Sequence, residues 1–349
     1  MIKNSLVKSL PLLALSAALA SAQQYVAVDL TPNATNGAMG FAVSGGSVML
    51  PGTSGVTQHA TLFASGSYND IHPQSWVMSF VAGISGLQQA GTGVPVASAD
   101  ASAGTHAVIW SGSAASLVDL HPNSLVASGA TCTNGSMQGG YGIVKAKSGG
   151  KTKTANPSHA MVWFGSASSS VDLNPASAAE SKINGCSFNQ EAGYMMPVSP
   201  GFTHAALWNG PVAAATDLHP AAGYVSTIAF GVANSQQVGY GVTTPDLGGA
   251  GHAMLWTGTA SSSVDLHPAG YTLSIALATN GNQQVGEADD AAFPRHKHAI
   301  VWTGSAQTAV DLNQFLPAGF TDAQAMAIDS AGNIVGYANN HAFMWVPVR

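Results

Sequence analysis

The stretch HAMLWTGTASSSVDLHP, at residues 252–268, carries the pattern that decides the fold. Its first two residues, His-Ala, recur along the chain at a mean interval of 47 residues. The recurring histidines are His59, His106, His159, His204, His252, His298 and His341. Self-similarity at a fixed period predicts a repeat architecture, and it has to be recognised before any local motif is interpreted.

Each repeat contains four short apolar segments. A tryptophan ends the His-Ala segment in six repeats, and Phe63 takes its place in the first. The six tryptophans are Trp110, Trp163, Trp208, Trp256, Trp302 and Trp345. About ten residues later a Gly/Ser turn leads into Asp-Leu or Asp-Ile, and a run such as STIAFGVANSQQVGYG (226–241) supplies two more segments. Such segments bounded by turn formers are typical of antiparallel strands, and we expect no helix after residue 22.

The two ends of the chain indicate how the repeats are arranged. Four strands in about 47 residues are typical of a β-propeller blade, and an open β-solenoid is the alternative. The last repeat ends at Arg349 without an Asp-Leu segment, whereas YVAVDL (25–30) is an Asp-Leu segment without a His-Ala segment before it. If these ends pair, they complete a seventh blade and leave no open strand edge. The sequence therefore predicts an all-β fold, a seven-bladed β-propeller of four-stranded antiparallel blades closed by the N- and C-terminal strands, as one domain at 23–349.

The same pairing predicts the order of strands within a blade. If the N-terminal strand is outermost, segments such as Ser226–Val232 line the central channel, QQVGY-type segments come second and His-Ala segments third. The connections that leave the second strand are long and variable, at 94–105, 145–158, 243–251 and 288–297. Because variable loops on a rigid scaffold commonly carry binding residues, we expect the binding surface on the face that these connections share.

The first 22 residues have the pattern of a signal peptide. Lys3 and Lys8 precede an apolar run from Leu10 to Leu19, and Ala20-Ser21-Ala22 resembles a cleavage site. The run is shorter than the roughly 20 apolar residues that a membrane helix needs, so we expect cleavage, secretion to the periplasm or beyond, and no membrane insertion. Without these residues the chain has 8 basic and 16 acidic side chains, which makes nucleic acid a poor partner.

The repeated HA-x-x-W, the V-D-L that follows and the later Q-x-V-G resemble the HAF-type extracellular repeat of bacterial secreted proteins. The resemblance extends over nearly all of the chain after residue 22. It implies an exported repeat domain, usually without an assigned biochemical activity, and it transfers no catalytic residue. The third residue of the motif is phenylalanine only at Phe343, and other residues occupy this position in the remaining copies.

The repeated histidines and aspartates are predicted to build the fold. A propeller spreads equivalent residues around a ring, whereas zinc needs ligands that converge at about 2.0–2.1 Å on one point. We expect each histidine to bond a neighbouring strand or turn and each tryptophan to fill the space between blades. Each aspartate of the Asp-Leu segments is expected to cap a turn.

The residues that do not repeat are the better candidates for a specific site. Glu287, Asp289 and Asp290 are close together in sequence, and Asp246 lies in the equivalent loop of the neighbouring repeat. Acidic clusters suit Ca²⁺, although this spacing matches no known calcium loop, and a solvated loop is the simpler interpretation. No other cofactor is expected. Paired carboxylates would also suit a glycosidase.

Two cysteines, Cys132 and Cys186, occupy corresponding first strands of the third and fourth repeats. Their equivalent positions in adjacent blades predict a disulfide, provided that the Cα atoms come within about 7 Å.

The sequence favours a noncatalytic extracellular scaffold, monomeric, that binds a protein or a cell-surface glycan through its variable loops. One alternative is a hydrolase or lyase that acts on polysaccharide with acids of the loops or channel. Another is a lectin with repeated pockets, but the variable loops show little of the repetition that it requires.

Overall fold

The computed structural model describes residues 23–31, 40–54, 57–96, 104–146, 156–199, 201–244, 251–292 and 295–349. The predicted signal peptide at 1–22 lies outside these ranges, as do parts of the predicted variable loops. The described chain forms seven antiparallel sheets of four strands each, so the prediction of a seven-bladed β-propeller is confirmed. Blades are numbered here by their His-Ala strands, from blade 1 with His59 to blade 7 with His341.

Within each blade the strands follow the predicted order from the channel outward. The first strands are Ala42–Ser44, Trp76–Ser85, Leu125–Thr133, Ala178–Cys186, Ser226–Ala233, Leu273–Thr279 and Ala323–Ile328. The second strands are Ser47–Ser54, Gln88–Pro95, Gln138–Val144, Glu191–Pro197, Gln236–Val242, Gln284–Asp289 and Ile334–Ala338. These two strands of each blade carry the AxA-type and Q-x-V-G-type segments of the repeat.

The third and fourth strands form the outer part of each blade. The third strands are Thr57–Ala64, His106–Trp110, Ser158–Trp163, His204–Trp208, Gly251–Trp256, Lys297–Trp302 and His341–Pro347. The fourth strands are Ser67–Asp70, Val118–Asp119, Val171–Asp172, Ala215–Asp217, Val264–Asp265, Val310–Asp311 and Tyr25–Asp29. The stretch 252–268 is therefore the outer hairpin of blade 5.

The ring closes where the two ends of the chain meet. Tyr25–Asp29 pairs antiparallel with His341–Pro347, in a register that sets Val28 opposite Met344. A cluster of buried side chains that includes Val48 then joins blade 7 to blade 1. Closure by the terminal strands is confirmed.

The core consists of seven apolar clusters, one at each interface between adjacent blades. The six tryptophans of the His-Ala strands have no exposed surface, and each packs toward the preceding blade. At the interface between blades 7 and 1, Phe63 is the partly buried counterpart. Fully burying an aromatic side chain contributes about 2–3 kcal/mol, so the tryptophans are central to holding the blades together.

A close backbone approach explains the glycine in Q-x-V-G. At Gly239 of blade 5 an added Cβ would lie 1.9 Å from the carbonyl oxygen of Ile228, beside an irregularity in the pairing between Ala229 and Gly231. The equivalent glycines of blades 2, 3, 4, 6 and 7 have the same contact at 1.8–2.0 Å. The glycine repeats because no side chain fits at this position.

Helical structure in the described ranges is limited to short 3-10 turns, in agreement with the expectation of no helix. These turns are Ala114–Ser116, Ala167–Ser169, Ala260–Ser262, Ala306–Thr308 and Leu312–Phe315. None of the helical segments described has the length and apolar character needed to span a membrane.

The antiparallel order gives the ring two distinct faces. The turns that join first to second and third to fourth strands emerge on one face, which we call the hairpin face. The connections from second to third strands, and from one blade to the next, emerge on the other, which we call the loop face. The predicted variable connections therefore share one face.

Candidate functional site

Each repeated histidine lies beside the aspartate of the neighbouring outer strand. The distance from Nδ1 to the carboxylate Oδ2 is 2.7–2.8 Å in every blade. The pairs are His59–Asp70, His106–Asp119, His159–Asp172, His204–Asp217, His252–Asp265, His298–Asp311 and His341–Asp29. The pair in blade 7 joins residues from opposite ends of the chain.

The second oxygen of each aspartate caps the turn that follows the outer strand. Oδ1 accepts a hydrogen bond of 2.8–2.9 Å from the backbone N–H two residues further along. The donors are Thr31, His72, His121, Asn174, His219, His267 and Asn313. Both carboxylate oxygens are thus engaged in holding the outer strand and its turn in place.

A buried hydroxyl links each of these turns in blades 1 to 5 to the next blade. Between blades 5 and 6, Ser274 Oγ accepts the backbone N–H of Ala253 at 2.9 Å and lies 2.8 Å from His267 Nδ1. The carbonyl oxygen of Tyr271, 3.2 Å from His267 Nε2, can only accept, so Nε2 donates to it; in the neutral imidazole Nδ1 then accepts the proton of the Ser274 hydroxyl. Ser79, Ser128, Ser181 and Thr227 repeat the hydroxyl position.

Four blades contain a stacked pair of imidazoles. The ring centroids are 3.8–4.1 Å apart. The pairs are His59–His72, His106–His121, His204–His219 and His252–His267. Burial, and then the adjacent imidazole, lower the pKa of His72, His121, His219 and His267. The second imidazole of each pair is therefore held in its neutral form.

The predicted acidic residues lie at the end of the second strand of blade 6, toward the loop face. Lys297 Nζ is 2.8 Å from Glu287 Oε2 and 3.5 Å from Asp289 Oδ1. Burial raises the pKa of Glu287, and the hydrogen bond from Lys297 opposes this rise. Asp290 belongs to a separate arrangement, in which hydrogen bonds led by the backbone N–H of His296 lower the pKa of Asp290 to about 2.

Glu287 and Asp289 share Lys297 Nζ, whereas the carboxylate of Asp290 lies beside the imidazoles of His296 and His298, so the three acids do not meet at one point. Asp246, the fourth calcium candidate, lies outside the described residues. Within the described ranges, no group of three or more histidine, cysteine, aspartate or glutamate side chains is placed to hold a metal ion. The acids of blade 6 instead contact a lysine and backbone donors.

Cys132 and Cys186 form a disulfide between the first strands of blades 3 and 4, with a Cα–Cα distance of 5.7 Å. It lies at the hairpin-face mouth of the central channel, where the described residues enclose a cavity of about 360 Å³. Phe230, Leu277 and Met326 give this mouth a largely apolar lining.

A buried acid at Glu191 is a feature that sequence reasoning missed. Its side chain has no exposed surface, and in the described part of the chain no group makes a well-aligned hydrogen bond to either carboxylate oxygen. Burial raises the pKa of Glu191 to about 7, with a smaller opposing effect from the backbone N–H of Gly210. Four other blades have glutamine at this position, namely Gln89, Gln138, Gln237 and Gln284. This departure from the repeat was the signal in the sequence.

In those four blades the glutamine is bonded through its side-chain oxygen. Oε1 accepts the backbone N–H of a glycine in the turn after the tryptophan, at 2.7–2.9 Å. In blades 3 and 6 the amide also donates to a glutamine of the preceding blade, Gln88 or Gln236. Blade 3 has Met137 at the position of those glutamines, so the side chain there offers no oxygen or nitrogen to Glu191.

The second missed feature is a cleft on the hairpin face between blades 4 and 5. Its cavity volume is about 580 Å³. The cleft lies between the first hairpin of blade 4, with Phe188 at its tip, and the corresponding tip of blade 5, with Asn234. Its signal in the sequence is an aromatic residue where the corresponding turns of other repeats have none.

No protein-family model and no curated protein matches this chain. Solved structures do resemble it. An oligogalacturonate lyase from Vibrio parahaemolyticus has a TM-score of 0.59 and 8% identity, and the alignment covers 92% of this chain and 93% of that one. The β-propeller domain of the Trilobed protease from Pyrococcus furiosus has a TM-score of 0.52 and 8% identity, with 90% and 94% coverage.

Peptidases with additional domains also match. The acylaminoacyl peptidase of Pyrococcus horikoshii has a TM-score of 0.54 and 9% identity over 87% of this chain. The present chain spans about half the length of that peptidase, 49%. Identities this low show a common fold alone, so the comparisons establish that this chain shares its β-propeller fold with lyase and peptidase propellers.

Proposed function

We propose that the protein is a secreted, noncatalytic scaffold that binds a protein or a cell-surface glycan through the loop face. The observation that carries this proposal is the set of seven His–Asp pairs, in which both oxygens of every aspartate hold a strand or a turn. The side chains that repeat are thereby committed to the ring. Specific recognition then falls to the connections in which the blades differ.

Three features support an extracellular location. The N-terminal 22 residues have the pattern of a signal peptide. The repeat resembles the HAF-type extracellular repeat. The disulfide between Cys132 and Cys186 suits an oxidising compartment. We accordingly propose that the chain is exported and that its mature form begins at Gln23, which N-terminal sequencing of the exported protein would test.

A binding screen tests the scaffold function. The mature chain would be applied to a glycan array and to immobilised extracellular proteins, and the same samples would be assayed for hydrolysis and elimination of polysaccharides. Polygalacturonate belongs in the assay because one similar propeller is an oligogalacturonate lyase. The expected result is retention of a ligand without turnover.

Charge reversal on the loop face, set against a negative charge introduced on the hairpin face, provides the comparison. Lys145→Glu and Arg295→Glu alter exposed residues of the loop face, whereas Asn282→Glu alters an exposed residue of the hairpin face. We expect the first two substitutions to weaken ligand retention and the third to leave it unchanged. Weakening by Asn282→Glu alone would contradict the assignment to the loop face.

A polysaccharide-acting enzyme is the second candidate, and Glu287 is the observation that favours it. Its buried carboxyl has a raised pKa, as a general acid requires, although the ion pair with Lys297 favours the charged form. Turnover that disappears in Glu287→Gln or Asp290→Asn would replace the scaffold proposal with this one.

A further inference from the structure

The cleft between blades 4 and 5 has an exposed aromatic ring at its edge. Phe188 is 84% exposed, although it is a large apolar side chain. Most aromatic side chains of this chain are buried or half-buried, and exposed aromatic surface beside a cavity is typical of a binding site.

The hairpin that carries this ring is held by blade 3 and by its own backbone bond. Asn134 of blade 3 donates through its amide to the carbonyls of Ser187 and Phe188, each at 3.2 Å. Within the hairpin, the N–H of Ser187 donates to the carbonyl of Gln190 at 2.8 Å. These bonds fix the backbone that carries the ring, so the hairpin loses little conformational freedom when a ligand covers it, which favours binding.

The remaining lining is rich in amide groups. Gln190 Nε2 donates to Asn209 Oδ1 at 3.0 Å, which orients both amides at one side of the cleft. Asn189 and Asn234 add further amides, and the eight lining residues include no charged side chain. Each amide offers both donors and acceptors, which suits a ligand with many hydroxyl groups.

We propose that this cleft binds a neutral glycan. Phe188 stacks on the apolar face of one sugar ring, and the amides of Gln190, Asn209 and Asn234 bond hydroxyls of the same or the next sugar. An anionic sugar would find no cation among the lining residues. A protein partner is disfavoured because the lining offers one apolar side chain amid amides, whereas the core of a protein interface is richer in apolar contacts.

The other first hairpins do not reproduce this arrangement. Their tips carry Gly45 in blade 1, Leu87 in blade 2, Ser136 in blade 3, Asn234 in blade 5, Asn282 in blade 6 and Ala331 in blade 7. A single site is therefore expected on the hairpin face, and its ligand stoichiometry is one per chain. Since the loop face lies on the opposite side of the ring, this site is independent of the function proposed above.

The test is calorimetric titration of the mature chain with neutral oligosaccharides, using cellohexaose, laminarihexaose, mannohexaose and chitohexaose, with oligogalacturonate as the anionic control. We expect at least one neutral oligosaccharide to bind with a stoichiometry of one. Phe188→Ala should weaken that binding about tenfold or more, as truncation of an aromatic anchor does. Phe188→Tyr, which retains the ring, should preserve it, and Asn209→Ala should weaken it.

Leu87→Ala is the matched control, because Leu87 is 85% exposed at the equivalent hairpin of blade 2. It should leave binding unchanged, and thermal melting should show that all four variants fold. The proposal is overturned if none of the four neutral oligosaccharides binds, or if Phe188→Ala and Leu87→Ala bind equally well. Preference for oligogalacturonate, or capture of a protein partner through Phe188 without any glycan binding, would also overturn it.

Discussion

Glu191 is an acid at a position where four other blades have glutamine. The glutamine of the other blades satisfies a turn N–H without carrying a charge. The carboxyl of Glu191 is buried in the same place and makes no well-aligned hydrogen bond with the residues that the structure describes, so ionising it is costly and the pKa of Glu191 rises to about 7. In the unfolded chain this carboxyl ionises near the ordinary glutamate pKa of 4.5.

Replacing Glu191 is expected to change the stability of the protein in a way that depends on pH. Glu191 loses its proton at a lower pH in the unfolded chain than in the folded protein. The contribution of the raised pKa to the free energy of unfolding is therefore fully present below pH 4.5 and is lost as the pH rises through about 7. Glu191→Gln should therefore match the wild type near pH 4 and be more stable at pH 8, by on the order of 2–3 kcal/mol. Urea unfolding monitored by tryptophan fluorescence would measure this difference.

The stacked histidines change the free energy of unfolding with pH in the opposite direction to Glu191. This dependence should be easier to see in Glu191→Gln. The lowered pKa values of His72, His121, His219 and His267 mean that stability is lost as pH falls below 6.5. With Glu191→Gln, the free energy of unfolding should rise more steeply between pH 5 and 7. Gln237→Glu in blade 5 is the matched control and should lower stability at pH 8. Equal urea midpoints for Glu191→Gln and the wild type at pH 8 would contradict this account.

Part of the residue-level picture could be predicted from the sequence. The period alone predicts that the His-Ala and Asp-Leu residues serve the ring, and their spacing indicates a hairpin. The partnership of His267 with Ser274 could not be predicted, because it joins two blades through a hydroxyl that no motif marks. The burial of Glu191 depends on how deeply its position lies in the interface between blades. The sequence of one repeat does not predict this depth.

At the scale of the strand, the glycine of Q-x-V-G carries a second prediction. Gly239→Ala places a Cβ within 1.9 Å of a carbonyl oxygen, so the first two strands of blade 5 must separate. We expect a loss of about 3 kcal/mol or more, since neither strand can relax without losing ladder bonds. Gly251→Ala, in the third strand of the same blade, meets its nearest neighbour at 3.4 Å and should be tolerated. Comparable melting temperatures for the two variants would contradict this role of the glycine.

The strands and their order could largely be predicted from the sequence. The turns between them and the irregularities in their pairing could not. Strand order followed from the placement of YVAVDL at the outside of the last blade. The 3-10 turns within GTASSS-type segments and the pairing irregularities in the first strands were not anticipated. Both depend on backbone geometry that Ser, Ala and Gly readily adopt. These residues leave the pattern of apolar positions unchanged, so the pattern does not predict that geometry.

In the whole molecule, the residues that repeat in every blade and the residues that differ between blades have separate roles. The His–Asp pairs, buried hydroxyls and tryptophans recur because every blade needs the same lateral support. The sites proposed for recognition lie where blades differ, on the loop face and around Phe188. The period could predict the ring, but it could not predict the cleft, because Phe188 of blade 4 and Asn234 of blade 5 line it together and neither residue repeats the pattern of its neighbours.

Ring closure depends on the pairing of the two terminal strands, and strand complementation is the sharpest test of this pairing. A chain lacking residues 23–31 loses the outer strand of blade 7 and the aspartate that bonds His341 at 2.8 Å. Thermal melting would be measured for this chain alone, with a peptide of residues 23–31, and with the same peptide carrying Asp29→Ala. We predict a large fall in Tm on deletion, recovery that depends on the concentration of the first peptide, and weaker recovery with the second. An unchanged Tm for the truncated chain, or no recovery by either peptide, would contradict closure.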